Sequence, residues 1–189
     1  QGDAPIRYTL DGSKPGKNSP VYTEPLVLTE SCVLTAVVFR DNVEPKYYTR
    51  RFDFHKAVGK QLTFSRNPHR KYSEGAPANL IDGVRGPKVF KSIEWTAWHG
   101  KPVDLLIDMS ETQPYRSVTL GMLTDKPSHI FFPTKIAVAV SEDGENFTLA
   151  ATVWNDIPVT AADLLFKEFS TICNYKARYV RYHAYRSTM

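Results

Sequence analysis

The sequence lacks the patterns typical of membrane-spanning, disulfide-rich and zinc-binding proteins. No segment approaches the ~18 consecutive apolar residues of a membrane helix. The 5 histidines are scattered without H-x-H or H-x-x-x-H spacing, and neither of the 2 cysteines has a C-x-x-C partner. Cys32 and Cys173 lie far apart, so we predict two free buried thiols rather than a disulfide. We therefore expect no membrane insertion and no zinc site.

The chain also lacks a strong excess of charge of either sign. It carries 24 Lys and Arg against 20 Asp and Glu, a net charge of +4, and the basic residues are spread along the chain. The one basic cluster, "RNPHRK" at 66–71, contains a proline and no aromatic residue. This composition favours a solvated loop over a nucleic-acid surface, and we predict no nucleic-acid partner.

The first residues contain no recognisable targeting signal. The chain begins Gln1-Gly2-Asp3, without an initiator methionine, a charged n-region or an apolar h-region. We expect a piece of a longer protein whose targeting signal lies outside these residues.

A sustained helical period is absent, and apolar and polar residues alternate instead. Strands produce this alternation because their successive side chains point to opposite faces of a sheet. The 13 prolines are spread between the alternating segments, where turns belong. These segments lie at 6–10, 33–39, 51–54, 103–109, 118–122, 136–140 and 180–184. The pattern predicts an all-β chain.

The chain divides best near 56–60, after the last strand of the first set and before a loop-rich stretch. We predict two β-sandwich domains, residues 1–56 and residues 57–189. A domain of about 56 residues is small for an independent core, so we expect it to pack on a neighbour.

The stretch Asp11-Gly12-Ser13 could be a reactive serine site or a turn between two strands. It lies at the end of an alternating strand, where glycine tolerates positive φ and aspartate can bond its own backbone two residues on. Ser13 has no nearby histidine and no strand-to-helix elbow. We predict a turn.

One adjacent acidic pair, Glu142-Asp143, is the nearest approach to a catalytic carboxylate pair. It lies in "SEDGENF", a glycine-bearing turn between two predicted strands, where exposed carboxylates are ordinary. We predict a hairpin and no catalytic residue.

The first domain resembles the small β-sandwich that follows the catalytic barrel in chitobiases and related β-N-acetylhexosaminidases. The resemblance covers Pro5 to about Phe54 and rests on "IRYTLDGSKP", "SPVYTEPLVL", "LTAVVF" and "VEPKYYTRRFDF". It implies an immunoglobulin-like sandwich in which "YTLDGSxP" is a strand and its corner.

From Lys60 onward the chain resembles the discoidin, or coagulation factor 5/8 type C, fold, which carbohydrate-binding modules of family 32 share. The matching motifs, in order, are "APANLIDGVRG", "EWTAWHGKPVDLLIDMS", "SVTLGMLTDKPSHIFFPTKIAVAVSEDGENF" and "ARYVRYHA". The resemblance implies a galactose-binding-like jelly-roll β-sandwich. Because members usually continue past the "RYVR" strand, we expect an exposed sheet edge or a last strand that lies outside these residues.

Together the two domains resemble the C-terminal region of bacterial family 20 glycoside hydrolases. This implies a non-catalytic accessory region of a β-N-acetylhexosaminidase, with the catalytic barrel of the parent chain as a partner. It also implies a periplasmic, outer-membrane-associated or secreted location in a bacterium.

The resemblance further implies one possible metal. In discoidin-like domains the turn matching "NLIDG" often holds a structural calcium, and Asp82 is the corresponding residue. The family commonly has a second acid just after the turn, whereas this chain has Gly83-Val84-Arg85. Calcium binding and an Asp82 side chain bonded to its own loop both remain open, and we predict no other cofactor.

Two loops carry the chemistry that sugar binding requires, an aromatic face beside hydrogen-bonding groups. In the family both loops can fall at the same end of the sandwich. The candidate contact residues are Trp95, Trp98, His99, His129, Phe131, Phe132 and Arg85. The alternative is that these aromatic rings close the core.

Two functions therefore remain open for the second domain. It binds a glycan, with terminal amino sugars or galactose-type residues as the expected class, or it is a spacer that supports the barrel and binds no sugar. An exposed aromatic ring beside a histidine or arginine favours the first function, and burial of all these rings favours the second.

Overall fold

The structure is a computed structural model, and it describes residues 4–186. It is 47% strand and 5% helical, so the predicted all-β class is confirmed. The strands are β1 (Ile6–Thr9), β2 (Cys32–Val38), β3 (Tyr47–Phe52), β4 (Gln61–Phe64), β5 (Val103–Asp125), β6 (Lys135–Ser141), β7 (Thr148–Trp154) and β8 (Leu164–Tyr185). Three single-turn 3-10 helices lie at Arg70–Tyr72, Ala78–Leu80 and Lys126–Ser128.

The chain folds into two compact units. The first comprises residues 1–55 with 83–85, and the second comprises residues 56–82 with 86–189. The short return of 83–85 to the first unit is the main difference from the predicted contiguous domains. Its cause is backbone pairing, since Asp53 N donates to Gly83 O at 2.7 Å and Arg85 N donates to Arg51 O at 2.9 Å.

The first unit contains a three-stranded antiparallel sheet in the order β1-β2-β3. The central strand β2 is apolar on both faces and buries Thr35 and Val37. Within residues 4–55 the assigned strands all belong to this one sheet.

Asp11-Gly12-Ser13 is a corner after β1, as predicted. Asp11 Oδ1 accepts hydrogen bonds from Ser13 N at 2.9 Å and Ser13 Oγ at 2.6 Å, and Gly12 has φ of 83°. These hydrogen bonds, that of the Ser13 side chain first, hold the pKa of Asp11 below its ordinary value. The serine hydroxyl therefore serves the turn.

The second unit is built on a five-stranded antiparallel sheet in the order β4-β5-β8-β6-β7. The two long strands β5 and β8 pair along nearly their whole length, with register shifts between Asp108 and Gln113 and between Tyr115 and Ser117. Such irregularities bend a strand and increase its twist. Side chains from both halves of the paired strands meet in one core.

That core is apolar and contiguous. It includes Leu105 and Ile107 from the first half of β5, Val118 from its second half, and Phe169 from β8. The alternation read from the sequence matches the burial along 103–109, where the odd-numbered positions 105, 107 and 109 are buried. Packing therefore fixes the ends of the strands, and the loops that connect them begin and end at fixed positions.

Glu142 and Asp143 lie in the β6–β7 hairpin, as predicted. Asp143 accepts hydrogen bonds from Asn146 Nδ2, Asn146 N, Glu145 N and Ser141 Oγ at 2.7 to 2.8 Å. These bonds, that of the Asn146 side chain first, hold the Asp143 pKa well below its ordinary value. A carboxyl group that is ionised and bonded to its own turn is a poor general acid.

The "RYVR" segment does not lie at a sheet edge. This part of β8 pairs with β5 on one side and with β6 on the other, and the outer strands of the sheet are β4 and β7. Cys32 and Cys173 are free thiols, but each is half-buried rather than buried.

Among residues 4–186, no helix has the length and apolar character needed to cross a membrane.

Candidate functional site

A cavity of about 670 Å³ opens at one edge of the second unit. Four chain segments supply most of its lining: the 95–101 loop that precedes β5, residues 120–123 of β5, the 128–133 segment that precedes β6, and the end of β8. The pairing of Val103 with Ala184 and of Lys135 with Tyr185 brings these segments together. Six of the seven predicted contact residues line this cavity: Trp95, Trp98, His99, His129, Phe131 and Phe132.

Hydrogen bonds from other segments hold the 95–101 loop, which carries Trp95 and Trp98, in place. Asn79 Nδ2 donates to Ile93 O at 2.7 Å, and Thr96 Oγ1 donates to Asn79 Oδ1 at 3.1 Å. Ala97 N donates to Tyr72 O at 3.0 Å. Asn79, the first residue of "NLIDG", therefore fixes the loop on which two of the candidate rings are carried.

Both indole groups use their N–H within the protein. Trp95 Nε1 donates to Pro87 O at 2.7 Å, and Trp98 Nε1 donates to Arg66 O at 2.8 Å. Trp98 also packs edge-on against Phe64, with ring centroids 5.4 Å apart. Because each ring is half-buried, it offers part of its apolar surface to the cavity but no free N–H donor.

The second loop is held by a tight turn. Asp125 and Ile130 exchange backbone hydrogen bonds at 3.0 Å, and Thr124 Oγ1 donates to Ile130 O at 2.7 Å. His129 closes the intervening 3-10 turn in the left-handed region, with φ of 57°. The loop therefore presents its side chains from a fixed backbone.

The two neighbouring phenylalanines have opposite environments. Phe132 is 7% exposed and packs against Phe169 in the core, with ring centroids 5.7 Å apart. Phe131 is 41% exposed and lies beside His129, with ring centroids 6.5 Å apart. The core-closing alternative thus describes Phe132, whereas Phe131 is an open aromatic ring beside a histidine.

Arg85 belongs to the first unit, where it is held by Asp53. Its Nη2 lies 2.7 Å from Asp53 Oδ2, and Arg51 Nε donates to Asp53 Oδ1 at 2.8 Å. Burial opposes ionisation of Asp53, but the hydrogen bonds from Arg85 and Arg51 outweigh it and lower the Asp53 pKa. Arg85 is held by this ion pair because the 83–85 segment runs back beside 51–53.

The side chains near Asp82 do not by themselves supply the ligands of a calcium site. Calcium takes six to eight oxygen ligands. Within 4–186, no group of three or more His, Cys, Asp or Glu is arranged to hold a metal. In the loop itself, Ala78 O accepts from Ile81 N at 3.0 Å and Gly83 O accepts from Asp53 N at 2.7 Å.

The cavity also contains side chains that sequence reasoning missed. Tyr72, Phe90, Lys101, Tyr185 and Arg186 all line it. Lys101 and Arg186 lie within two residues of the paired positions Val103 and Ala184. Knowing that the end of β8 pairs with the start of β5 would have identified both residues.

A second group of exposed rings lies on the sheet itself. Trp154 is 64% exposed, and Lys135 Nζ lies 4.8 Å from its ring centroid and 4.5 Å from that of Tyr185. The cation therefore covers part of both rings. These three side chains lie side by side on neighbouring strands, β7, β6 and β8, on the surface of the sheet.

Similarity to solved structures extends to several domains at low sequence identity. CpGH89CBM32-6 of Clostridium perfringens has a TM-score of 0.43 and 14% identity, over 68% of this chain and 84% of that one. The C-terminal domain of a chitobiase from Bacteroides fragilis has a TM-score of 0.39 and 18% identity, over 68% and 87%. A fucolectin from striped bass, Morone saxatilis, has a TM-score of 0.47 and 16% identity, over 96% and 67%.

Comparison with family profiles is more specific. Residues 1–50 match a family described as Fn3 associated, and residues 61–188 match the F5/8 type C domain. The comparison with curated proteins finds no match. The F5/8 type C match spans about two thirds of the chain and confirms the discoidin-like expectation for the second unit. The chain therefore belongs to the F5/8 type C domain family.

Proposed function

We propose that the second unit is a carbohydrate-binding module and that the cavity edged by 95–101 and 129–133 is its sugar site. The observation that carries this proposal is the convergence of six predicted contact residues on one cavity. Phe131 supplies an exposed ring with the exposed imidazole of His129 beside it, and His99 supplies a second exposed imidazole on the same cavity.

The size and lining of the cavity suit a sugar. Ligand sites are usually cavities of about 300–1,000 Å³ with mostly apolar walls and a few polar groups. An aromatic ring can cover the C–H face of a pyranose, and imidazole nitrogens can donate to or accept from its hydroxyls. Fixed loops lower the entropy cost of binding because the side chains are already in position.

The expected affinity is low for a single sugar. One stacked ring with two or three hydrogen bonds leaves much of a monosaccharide exposed, so we expect a Kd of ~0.1–1 mM. Such a site remains useful when it is tethered to a catalytic domain, because repeated contacts along a polymer add avidity.

We further propose that this chain is a non-catalytic part of a larger glycoside hydrolase, with a β-N-acetylhexosaminidase as the expected parent. The chitobiase-like motifs of residues 5–54 support this parent, and terminal amino sugars or galactose-type residues are the expected ligands. A periplasmic, outer-membrane-associated or secreted location follows from the same reasoning.

A spacer without a ligand is the second candidate. It is favoured by the use of the rings inside the protein: Phe132 is buried, and both indole N–H groups are bonded to backbone carbonyls. In this alternative the cavity is a by-product of loop packing.

A glycan array probed with the full chain in multivalent display distinguishes the two candidates. We expect binding to a defined set of glycans, with loss of the signal in Phe131→Leu and its retention in Phe131→Tyr. Absence of binding to any glycan would instead support the spacer.

A further inference from the structure

The charged side chains of the cavity are of one sign. Lys101 and Arg186 line it together with His99 and His129, and all four are exposed. Among the described residues that line the cavity there is no aspartate or glutamate. A sugar in this cavity would therefore meet cations and imidazoles but no carboxylate.

The two cations sit close to the loop that carries His99. Arg186 Nη1 donates to Gly100 O at 3.4 Å, which places its guanidinium at the 95–101 loop. A guanidinium has five N–H donors, so this contact leaves others for a ligand.

The charge of Lys101 and Arg186 is not neutralised within the part of the chain that the structure describes, where no ion pair involves either residue. Other cations of the same unit are paired, as Arg178 is with Asp108 at 2.8 Å and Lys126 with Asp163 at 3.8 Å. The cavity thus retains a positive field that its own residues do not cancel.

We propose that the cavity selects acidic glycans, in which a pyranose carries a carboxylate or a sulfate group. This inference rests on the proposed sugar site. Phe131 contacts the C–H face of the ring, while Arg186 and Lys101 bind the anionic group through charge-assisted hydrogen bonds. Arginine suits this role because its planar fork matches the geometry of a carboxylate.

The charge pattern decides between acidic and neutral sugars. A neutral sugar would displace water from two cations without replacing it by a negative charge, whereas an anionic substituent compensates for that loss. Because the site is exposed, the attraction should weaken with salt, since the screening length is only ~8 Å at 0.15 M ionic strength.

The test uses immobilised sugars that differ at one position. Galactose, galacturonic acid and galactose 6-sulfate share a scaffold and differ at carbon 6, as do N-acetylglucosamine and its 6-sulfate. The full chain should bind the acidic members about tenfold more strongly than their neutral counterparts, and this preference should fall as salt is raised. The carboxylate and sulfate arms identify which anion is preferred.

A pair of matched variants locates the effect. Lys101→Ala with Arg186→Ala should remove the preference for acidic sugars. Lys176→Ala with Arg116→Ala lowers the net charge by the same amount at exposed β8 and β5 positions outside the cavity, and it should leave the preference unchanged. Equal melting temperatures for the two double variants would establish that both are folded alike.

Each outcome has one meaning. Binding to neutral sugars as strong as to acidic ones would overturn the acidic preference and leave the sugar site standing. Acidic binding that survives Lys101→Ala with Arg186→Ala would also overturn it, because the anion would then be held elsewhere. Absence of binding to both classes would overturn this inference and the proposed function together.

Discussion

Replacing Phe131 and Phe132 in turn separates a binding ring from a core ring, because the two residues are neighbours with opposite exposure. Phe131 is 41% exposed and Phe132 is 7% exposed. We expect Phe131→Leu to lose sugar binding with little change in stability. Phe132→Ala should lower stability strongly.

The magnitudes follow from the buried area. We take an aromatic side chain to have about 200 Å² of surface. From the exposed fractions, folding then removes about 190 Å² of Phe132 and about 120 Å² of Phe131 from water. At ~25 cal/mol per Å² these areas correspond to about 5 and about 3 kcal/mol, which are upper values because alanine and the unfolded chain retain part of the burial. With the cavity left behind, Phe132→Ala should cost ~3–5 kcal/mol, whereas Phe131→Ala should cost ~1–2 kcal/mol.

Leucine is the sharper substitution at Phe131. It keeps most of the apolar volume and should change stability by less than ~1.5 kcal/mol, but it removes the flat ring face. Phe131→Tyr keeps that face and should bind as the original chain does. Thermal unfolding measures stability, and calorimetry measures binding to the glycans identified on the array.

Two results would refute this reasoning. If Phe131→Leu binds as tightly as the original chain, Phe131 does not contact the ligand. If Phe131→Ala costs as much stability as Phe132→Ala, the exposed ring is part of the core and the spacer gains support.

Three further predictions concern the second unit. Hydrogen bonds from Arg178 are the main cause that holds the pKa of Asp108 below its ordinary value of 3.8. The pair therefore stabilises the fold above that pH and loses its effect as pH falls through the folded-state pKa. Asp108→Asn should cost up to ~1 kcal/mol at pH 7 by denaturant unfolding, and this deficit should vanish in acid. Gly86→Ala would place a Cβ 2.7 Å from the indole of Trp95, so it should lower stability by ~1–3 kcal/mol and shift the tryptophan fluorescence. Gly16→Ala, whose Cβ would have no atom within 4 Å, is the control and should change neither. Calcium and a chelator should leave the melting temperature unchanged, because the turn matching the family's calcium site lacks a second acid; a calcium-dependent rise would contradict this.

Local patterns predicted much of the fold because strand alternation and turn chemistry act over a few residues. The segments at 103–109 and 136–140 form strands as expected. The corner at Asp11 and the hairpin at Glu142-Asp143 have the expected hydrogen bonds. The bending of β5 and β8 was not predicted, because long-range pairing of two 22- to 23-residue strands leaves no local pattern.

The candidate site was predicted only in part, for the same reason. Aromatic residues beside histidines identified the two loops, but alternation could not tell that Phe131 points outward and Phe132 inward. The return of Arg85 to the first unit was not expected, because the backbone pairing that draws 83–85 there leaves no local pattern. Lys101 and Arg186 were missed because their proximity depends on the register of β5 with β8.

The most direct test of the sugar site is a two-dimensional NMR titration of the isotopically labelled chain with galactose, galacturonic acid and galactose 6-sulfate at millimolar concentrations. We predict chemical-shift changes that saturate with the acidic sugars and are confined to the backbone amides of 95–101, 129–132 and 185–186. Changes centred on Trp154 and the outer face of the sheet, or no changes with any glycan that binds on the array, would contradict the assignment of the site.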